Sequence, residues 1–273
     1  MPHVVGLDFE TACDVNLPVH GADRYFNDPS FRVLVAALYT PTKERAFDFV
    51  HDPNSMEVFL RELQQYTTIV GHNVAFEMRV LQHLGVTLSD FQFIDSAVLA
   101  RAVGAGSKLE AAAPQLLGIN KMEEGSGLIK QFSIPREEGS YRGHEHATWE
   151  GDVLDDWQTF MAYCALDAEL TWEIFYTCNL HVSARETDYF ELTYQMNQRG
   201  WFVNVENVKR MQEQYEKNLV LVESEFRTSL NEPDLNFRST PQLRKWCAER
   251  GINARSFDEL NVSRLLTSIT KRI

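Results

Sequence analysis

Basic residues are scarce in this chain of 273 residues. Its 26 Lys and Arg stand against 39 Asp and Glu, which gives a formal net charge of −13 at pH 7. A general duplex-binding surface depends on Lys and Arg to neutralise phosphates, so this deficit argues against one. It leaves open a compact site that holds a few nucleotides through metal ions and stacking.

Cysteine pairs and long apolar runs are also lacking. The four cysteines, at positions 13, 164, 178 and 247, form no CxxC pair and no zinc spacing. We interpret them as buried thiols of a reducing compartment. No run is long enough to span a membrane, and the N-terminus lacks a basic-then-apolar signal pattern. We therefore expect a soluble protein without a membrane partner, located in the cytoplasm, or in the host cell cytoplasm if the protein is viral.

Hydrophobic patterning predicts an α/β fold in the first part of the chain. Strands are predicted at 4–10, 32–39, 46–50 and 68–71, and the segment 123–149 is predicted to be a long surface loop. Between and after the strands, helices are predicted with side-chain caps from Ser55, Asn73, Asp95 and Ser107. Together these elements predict a mixed central sheet covered by helices.

The opening strand carries two acids, Asp8 and Glu10, with Phe9 between them. Alternation along a strand puts Asp8 and Glu10 on one face and Phe9 on the other. Two carboxylates about 4 Å apart repel by roughly 4 kcal/mol at an effective dielectric constant near 20. A divalent cation would offset that cost. The alternative is a surface strand that ends in acidic turn residues.

A second polar stretch follows the strand at 68–71. Asn73 is predicted to cap a helix that carries Glu77 in its first turn, near the edge of the sheet where active sites of open α/β sheets lie. In the alternative interpretation Glu77 only complements the helix dipole, and His72 and Asn73 are loop and cap residues. A further triplet, His144-Glu145-His146, has metal-ligand chemistry but no additional ligands nearby in the sequence.

The third stretch is an amphipathic helix around residues 157–171. Tyr163 and Asp167 lie four residues apart and so share one face. Asp167 lies within an apolar segment and needs a partner, since burying an unpaired charge is costly. That partner is either a metal ion or a Lys or Arg, and in the second case Tyr163 merely packs.

Taken in order, the three stretches resemble the DEDD superfamily of 3′–5′ exonucleases, in the subgroup whose last motif carries a tyrosine. The resemblance covers roughly residues 1–180. The sequences of these motifs are most similar to those of the proofreading domain of bacteriophage-type family-A DNA polymerases. They are Leu-Asp-Phe-Glu-Thr, Gly-His-Asn-x-x-Phe-Glu and Tyr-Cys-x-x-Asp. Glu77 stands where the family usually has Asp, but its longer side chain still supplies a carboxylate.

The resemblance implies a ribonuclease-H-like fold and phosphodiester hydrolysis assisted by two Mg²⁺ or Mn²⁺ ions. It implies that Asp8 bridges both ions, that Glu10 and Asp167 complete the first site, and that Glu77 acts at the second. Tyr163 would orient the attacking water. The implied substrate is the 3′ end of single-stranded DNA, contacted by a second set of residues: Phe9, Thr11, His72, Asn73 and Phe76. The alternative for Phe9 and Phe76 is a place in the core, where such residues more often lie.

Long helices are predicted beyond residue 180, including one of about two dozen residues that begins at Asn204. The sequence segments 196–200 and 238–243 resemble the start of a family-A polymerase domain. We therefore expect an exonuclease domain at 1–180 and an all-helical segment at 181–273 that contacts a polymerase polypeptide. The chain would be either a piece of a longer polymerase or one part of a split one. Two alternatives are a free-standing exonuclease that trims DNA or RNA, and a catalytically silent structural domain.

Overall fold

The computed structural model describes residues 3–134, 152–179, 183–236, 238–254, 256–258 and 261–262. By compactness the chain divides into two units, 1–199 and 200–273. The boundary expected after residue 180 concerns family resemblance and stays a prediction. The His144-Glu145-His146 triplet lies outside the described residues.

A five-stranded mixed sheet forms the centre of the first unit, in the order β3-β2-β1-β4-β5. Strand β1 pairs antiparallel with β2 and parallel with β4; β3 is antiparallel to β2 and β5 is parallel to β4. The strands are β1 (Val4–Ala12), β2 (Arg32–Thr40), β3 (Lys43–Asp48), β4 (Thr68–Gly71) and β5 (Gln92–Asp95). The mixed sheet is thus as predicted, although β3 begins earlier than expected and β5 was not predicted.

Nine α-helices are described in the first unit. They are α1 (Leu17–His20), α2 (Ala22–Asn27), α3 (Ser55–Leu63), α4 (Ala75–His83), α5 (Ser96–Ala102), α6 (Leu109–Leu117), α7 (Gly125–Phe132), α8 (Asp152–Cys178) and α9 (Ala184–Arg199). Helix α7 corrects the first part of the loop predicted for 123–149, and residues 135–149 of that prediction lie outside the described residues. The helix forms because Leu128 and Phe132 bury their side chains against α8, a tertiary contact that overrides the polar, glycine-rich composition.

The predicted helix caps are only partly correct. Asp95 caps α5 by accepting a hydrogen bond from the Ala97 amide. Asn73 does not cap α4: its φ is 64°, in the left-handed region that Asn tolerates, and its own amide donates to Asp95. The starts of α3 and α6 likewise have no side-chain cap hydrogen bond, so the predicted roles of Ser55 and Ser107 are wrong.

The two faces of the sheet bury different apolar layers. On one face Leu7 and Phe9 pack with Phe59 of α3, whose ring centroid lies 5.5 Å from that of Phe9. On the other face Trp157 and Phe160 of α8 belong to a second cluster. The predicted alternation along β1 is confirmed, because Phe9 points to α3 whereas the acids beside it share the face covered by α8.

The backbones of β1 and α8 touch at Gly6. A Cβ at this position would lie 2.4 Å from the carbonyl oxygen of Ala168 and 2.9 Å from Cβ of Trp172. Only glycine permits so close an approach. The contact brings the acids in the C-terminal half of β1 level with the middle of α8.

The second unit contains two described helices, α10 (Val205–Leu230) and α11 (Thr240–Glu249). Asn204 and Ser239 cap them through hydrogen bonds from Asn207 and Gln242, so the predicted starts are confirmed. None of the helices in the described part of the chain is long and apolar enough to cross a membrane.

Replacing Gly6 by alanine would force β1 away from α8. We expect Gly6→Ala to destabilise the protein by about 1–3 kcal/mol, the usual cost of overpacking, and to lower the midpoint of thermal unfolding by several degrees. Gly127→Ala is the matched control, since a Cβ there meets no atom within 4 Å. An unchanged melting temperature for Gly6→Ala would contradict the close contact.

Candidate active site

Three carboxylates meet where the C-terminal half of β1 lies beside α8. One ligand oxygen each from Asp8, Glu10 and Asp167 lies within 4.8 Å of the other two. Glu10 and Asp167 are buried, and Asp8 is half-buried. Among the described residues no other group of three His, Cys, Asp or Glu side chains is so close. The structure therefore brings together three of the four predicted metal ligands.

The electrostatics of this cluster are unfavourable without a cation. Burial raises the pKa of Asp8 well above its ordinary value, and the charge of Asp167 raises it further. Burial likewise raises the pKa of Glu10, followed by the charges of Asp8 and Asp167. A bound cation would favour the ionised forms and remove the repulsion.

Glu77 is the fourth acid and lies in the first turn of α4. Its side chain is 3% exposed, and its Oε2 atom has no hydrogen-bond partner among the described residues. Burial raises its pKa well above the ordinary value, and the nearby charge of Asp8 adds to this. Gly71 at the end of β4 leaves room for it, since a Cβ there would lie 3.1 Å from that oxygen. Glu77 therefore borders the three-carboxylate cluster without belonging to it.

Asp167 forms an ion pair with Lys121, whose Nζ lies 2.6 Å from Asp167 Oδ2. The other carboxylate oxygen, Oδ1, is buried and has no hydrogen-bond partner in the described part of the chain. The Lys or Arg pairing that the sequence left open is thus realised, together with the acid cluster. Lys121 itself was not predicted, because it precedes α7 in a segment without periodic pattern.

Tyr163 lies one turn before Asp167 on α8, and its ring is buried. The ring packs directly on Gly125 of α7, where a Cβ would lie 2.1 Å from the ring atom Cε2. Burial raises the pKa of the hydroxyl, and the charges of Asp167, Glu10 and Asp8 raise it further. The hydroxyl is therefore protonated at ordinary pH and can donate a hydrogen bond at the acid cluster.

The donor chemistry of the cluster suits a divalent metal ion such as Mg²⁺ or Mn²⁺. All the candidate ligand atoms are carboxylate oxygens, which these hard cations prefer, whereas zinc would normally recruit His or Cys. Two buried oxygens, on Glu77 and Asp167, lack a partner among the described residues. Such orphaned acceptors are rare in native proteins unless an ion or water completes them. The residues present therefore fit the ions implied by the resemblance.

Three of the predicted substrate-contacting residues line one apolar cavity next to the acids. Phe9, Thr11 and Phe76 border a cavity of about 280 Å³ whose wall also includes Glu10. The hydroxyl of Thr11 is hydrogen-bonded to that of Tyr25 at 2.7 Å. It is therefore part of the structure of the cavity wall. Phe9 also packs in the core, and both of the roles considered for it are compatible with the structure.

His72 and Asn73 do not line this cavity. His72 Nδ1 lies 2.8 Å from the Ser96 hydroxyl, and Nε2 lies 3.0 Å from the carbonyl oxygen of Ser107. Burial lowers the pKa of His72 to about 4, so the ring is neutral. Asn73 lines a separate cleft of about 540 Å³ beside α5 and α9. A role of these two residues in substrate binding stays a prediction.

The raised pKa values make stability depend on pH. In unfolded chains Asp and Glu titrate near 3.8 and 4.5, whereas Asp8, Glu10 and Glu77 hold their protons to higher pH in the folded state. As pH rises through that window the unfolded state binds fewer protons than the native state, so stability falls. Between pH 5 and 8, in EDTA, we expect each group to contribute a decrease of up to about 1.4 kcal/mol per pH unit over its own window.

Thermal unfolding of wild-type protein and of Glu77→Gln across this pH range tests the sign. Gln has nearly the same shape but no titrating carboxyl, so the variant should show a shallower decline. Identical slopes for the two proteins would contradict a raised pKa at Glu77.

Comparison with known proteins agrees with the motif analysis. No family model matches the chain. It is 26% identical over 270 residues to a DNA polymerase of Bacillus phage SP02, a match that covers 96% of this chain and 41% of the phage protein. Among solved structures, Escherichia coli RNase D, an exoribonuclease involved in structured RNA processing, aligns over 73% of this chain and 46% of its own, with 12% identity and a TM-score of 0.44. The polymerase match agrees with the resemblance predicted from the three motifs, because this chain is similar to a phage DNA polymerase over almost its whole length.

Proposed function

We propose that the chain removes nucleotides from the 3′ end of single-stranded DNA and is the proofreading part of a family-A type DNA polymerase. The convergence of Asp8, Glu10 and Asp167 within 4.8 Å is the observation that carries this proposal. The similarity to a phage DNA polymerase over 96% of the chain favours DNA as the substrate. Since the chain spans only 41% of that relative, the activity of a whole polymerase is not assigned to it.

The four acids divide into two overlapping ligand sets for divalent ions. Asp8, Glu10 and Asp167 would hold one Mg²⁺ or Mn²⁺ ion, and Asp8 with Glu77 would hold a second. Bound ions of this kind lower the pKa of the attacking water and stabilise the leaving 3′ oxygen. The carboxylates would supply the negative charge that holds such ions beside β1.

Tyr163 positions the water in this proposal. Its hydroxyl stays protonated because burial and the neighbouring acids raise its pKa. It therefore cannot act as the base and instead holds the water by a hydrogen bond. The contact of its ring with Gly125 of α7 restricts the direction in which the hydroxyl points.

The apolar cavity beside Glu10 is the proposed site of the terminal nucleoside. Phe9, Phe76 and Ile134 contribute apolar surface to its wall. Stacking and apolar contact do not distinguish bases, which suits an enzyme that removes any 3′ nucleotide. The position of Glu10 in the same wall would bring the adjoining phosphate towards the carboxylates.

The second unit offers a surface for polymerase contact. Helix α10 has no buried residues within the described part of the chain, and several of its large apolar side chains are exposed. Met211 and Tyr215, for example, are 69% and 66% exposed. We assign this face to contact with polymerase sequence, carried either by the same polypeptide or by a separate one.

Removing one carboxylate of the cluster should abolish nucleotide release. We expect Asp8→Asn to slow Mg²⁺-dependent shortening of a 5′-labelled single-stranded DNA by about a thousandfold or more, because in this proposal Asp8 would be a ligand in both sets. The label makes the direction visible: 3′–5′ removal gives a ladder of progressively shorter labelled strands. The assay also runs with RNA of the same sequence.

Glu57→Gln is the matched control, because Glu57 is an acid on α3 whose side chain is 81% exposed. Wild-type turnover by Asp8→Asn would reject the site. Equal degradation of RNA would favour the free-standing trimming enzyme, and no degradation of either polymer by the wild type would favour the silent structural domain.

The cavity assignment is tested at Ile134, which is 39% exposed. We expect Ile134→Ala to raise KM for a short DNA oligonucleotide by about fivefold, with kcat little changed, since the apolar surface that the substitution removes is worth about 1 kcal/mol. Ile119→Ala is the control, because Ile119 is 44% exposed and does not line the cavity. Equal KM values for the two variants would remove the terminal nucleoside from this cavity.

A further inference from the structure

Lys121 contacts a carboxylate, Asp167, that a metal ion would also bind. We propose that Lys121 is the resident cation of the acid cluster and that a divalent ion must displace its ammonium group from Asp167. The inference rests on the proposed function, since it takes the acids to be metal ligands. Nζ of Lys121 lies 2.6 Å from Asp167 Oδ2, and Asp167 is one of the three clustered carboxylates.

The ammonium group is held from two sides. Besides the carboxylate, the ring of Tyr163 lies beneath it, with Nζ 4.6 Å from the ring centroid. The side chain of Lys121 is only 20% exposed and that of Asp167 only 5%, so water screens the pair weakly. This is a specific contact within the cluster, unlike the exposed ion pairs on the surface of the protein.

A lysine and a metal ion that bind the same carboxylate repel each other. A divalent ion sits about 2.1 Å from its ligand oxygen. If the ion bound the unpartnered Oδ1 atom of Asp167 while the ammonium group stayed on Oδ2, the two cations would share one carboxylate and repel each other in a poorly screened setting. Binding of the ion is therefore coupled to breaking the lysine contact. The flexible four-carbon stem lets the ammonium group move while the rest of the fold stays in place.

The lysine also has a structural purpose in the metal-free protein. Lys121 precedes α7, Asp167 lies on α8, and the other clustered acids lie on β1. One positive charge at this junction opposes the repulsion that would otherwise drive α8 and β1 apart. Affinity for metal is lowered as a result, because an ion binds only when an existing ion pair breaks.

Mn²⁺ binding to Lys121→Met tests the proposal, with Lys121→Arg as the control that keeps the charge. Titrations followed by the electron paramagnetic resonance signal of free Mn²⁺ at pH 8 give the dissociation constants. We expect Lys121→Met to bind Mn²⁺ at least about tenfold more tightly than wild type, the scale of a charge-assisted hydrogen bond that no longer has to be broken. Lys121→Arg should bind as wild type does.

Thermal unfolding supplies a second readout. Lys121→Met should melt below wild type in EDTA, and the difference should close in saturating Mn²⁺. A lysine with a merely structural role would lower both melting temperatures equally and leave Mn²⁺ affinity unchanged, which would overturn the inference. If Lys121→Met does not fold, Lys121→Gln takes its place with the same expectations.

The two proposals fail differently in this experiment. Wild-type protein that binds no Mn²⁺ would refute the proposed function and this inference with it. Wild-type protein that binds Mn²⁺, beside a Lys121→Met variant that binds it no more tightly, would refute the inference alone.

Discussion

Repulsion between buried carboxylates is the constraint on which the rest of the first unit depends. Asp8, Glu10 and Asp167 converge from a strand and a helix that touch through Gly6. Burial raises the pKa of each acid, and positive charge nearby relieves the repulsion between their ionised forms. Lys121 supplies one such charge within the chain. The close contact of β1 and α8 therefore brings carboxylates together at a place where a cation would be stabilising.

The apolar layers on both sides of the sheet stabilise this arrangement. Phe47, Phe59 and Leu63 are almost fully buried on one face, and Trp157 and Phe160 on the other. Each large apolar side chain contributes about 1.5–3 kcal/mol when fully buried. Such surroundings hold the acids at fixed positions, and a fixed, unfavourable charge arrangement is a common property of active sites.

Periodicity accounts for what the sequence predicted well. The alternation of Asp8, Phe9 and Glu10 and the four-residue spacing of Tyr163 and Asp167 are local properties, and the structure keeps them. The role of Lys121 and the existence of α7 could not be predicted, because both depend on long-range contacts with α8. The predicted cap at Asn73 was wrong for a related reason. The left-handed conformation of Asn73 is fixed by Asp95, a residue far along the chain. Glu77 was correctly expected near the edge of the sheet, yet it stands outside the three-carboxylate cluster.

Strand alternation has one more consequence, for folding. Asp8 is paired with Ala37 and Phe9 with Ala36 across β1 and β2. A slip of one residue would turn both acids into the layer around Phe59 and turn Phe9 towards Asp167. Charged groups among phenylalanines are far costlier than an apolar side chain left unpacked. The side chains proposed for catalysis thus also favour the correct register of β1, because a shifted register would bury their charges among apolar side chains during folding.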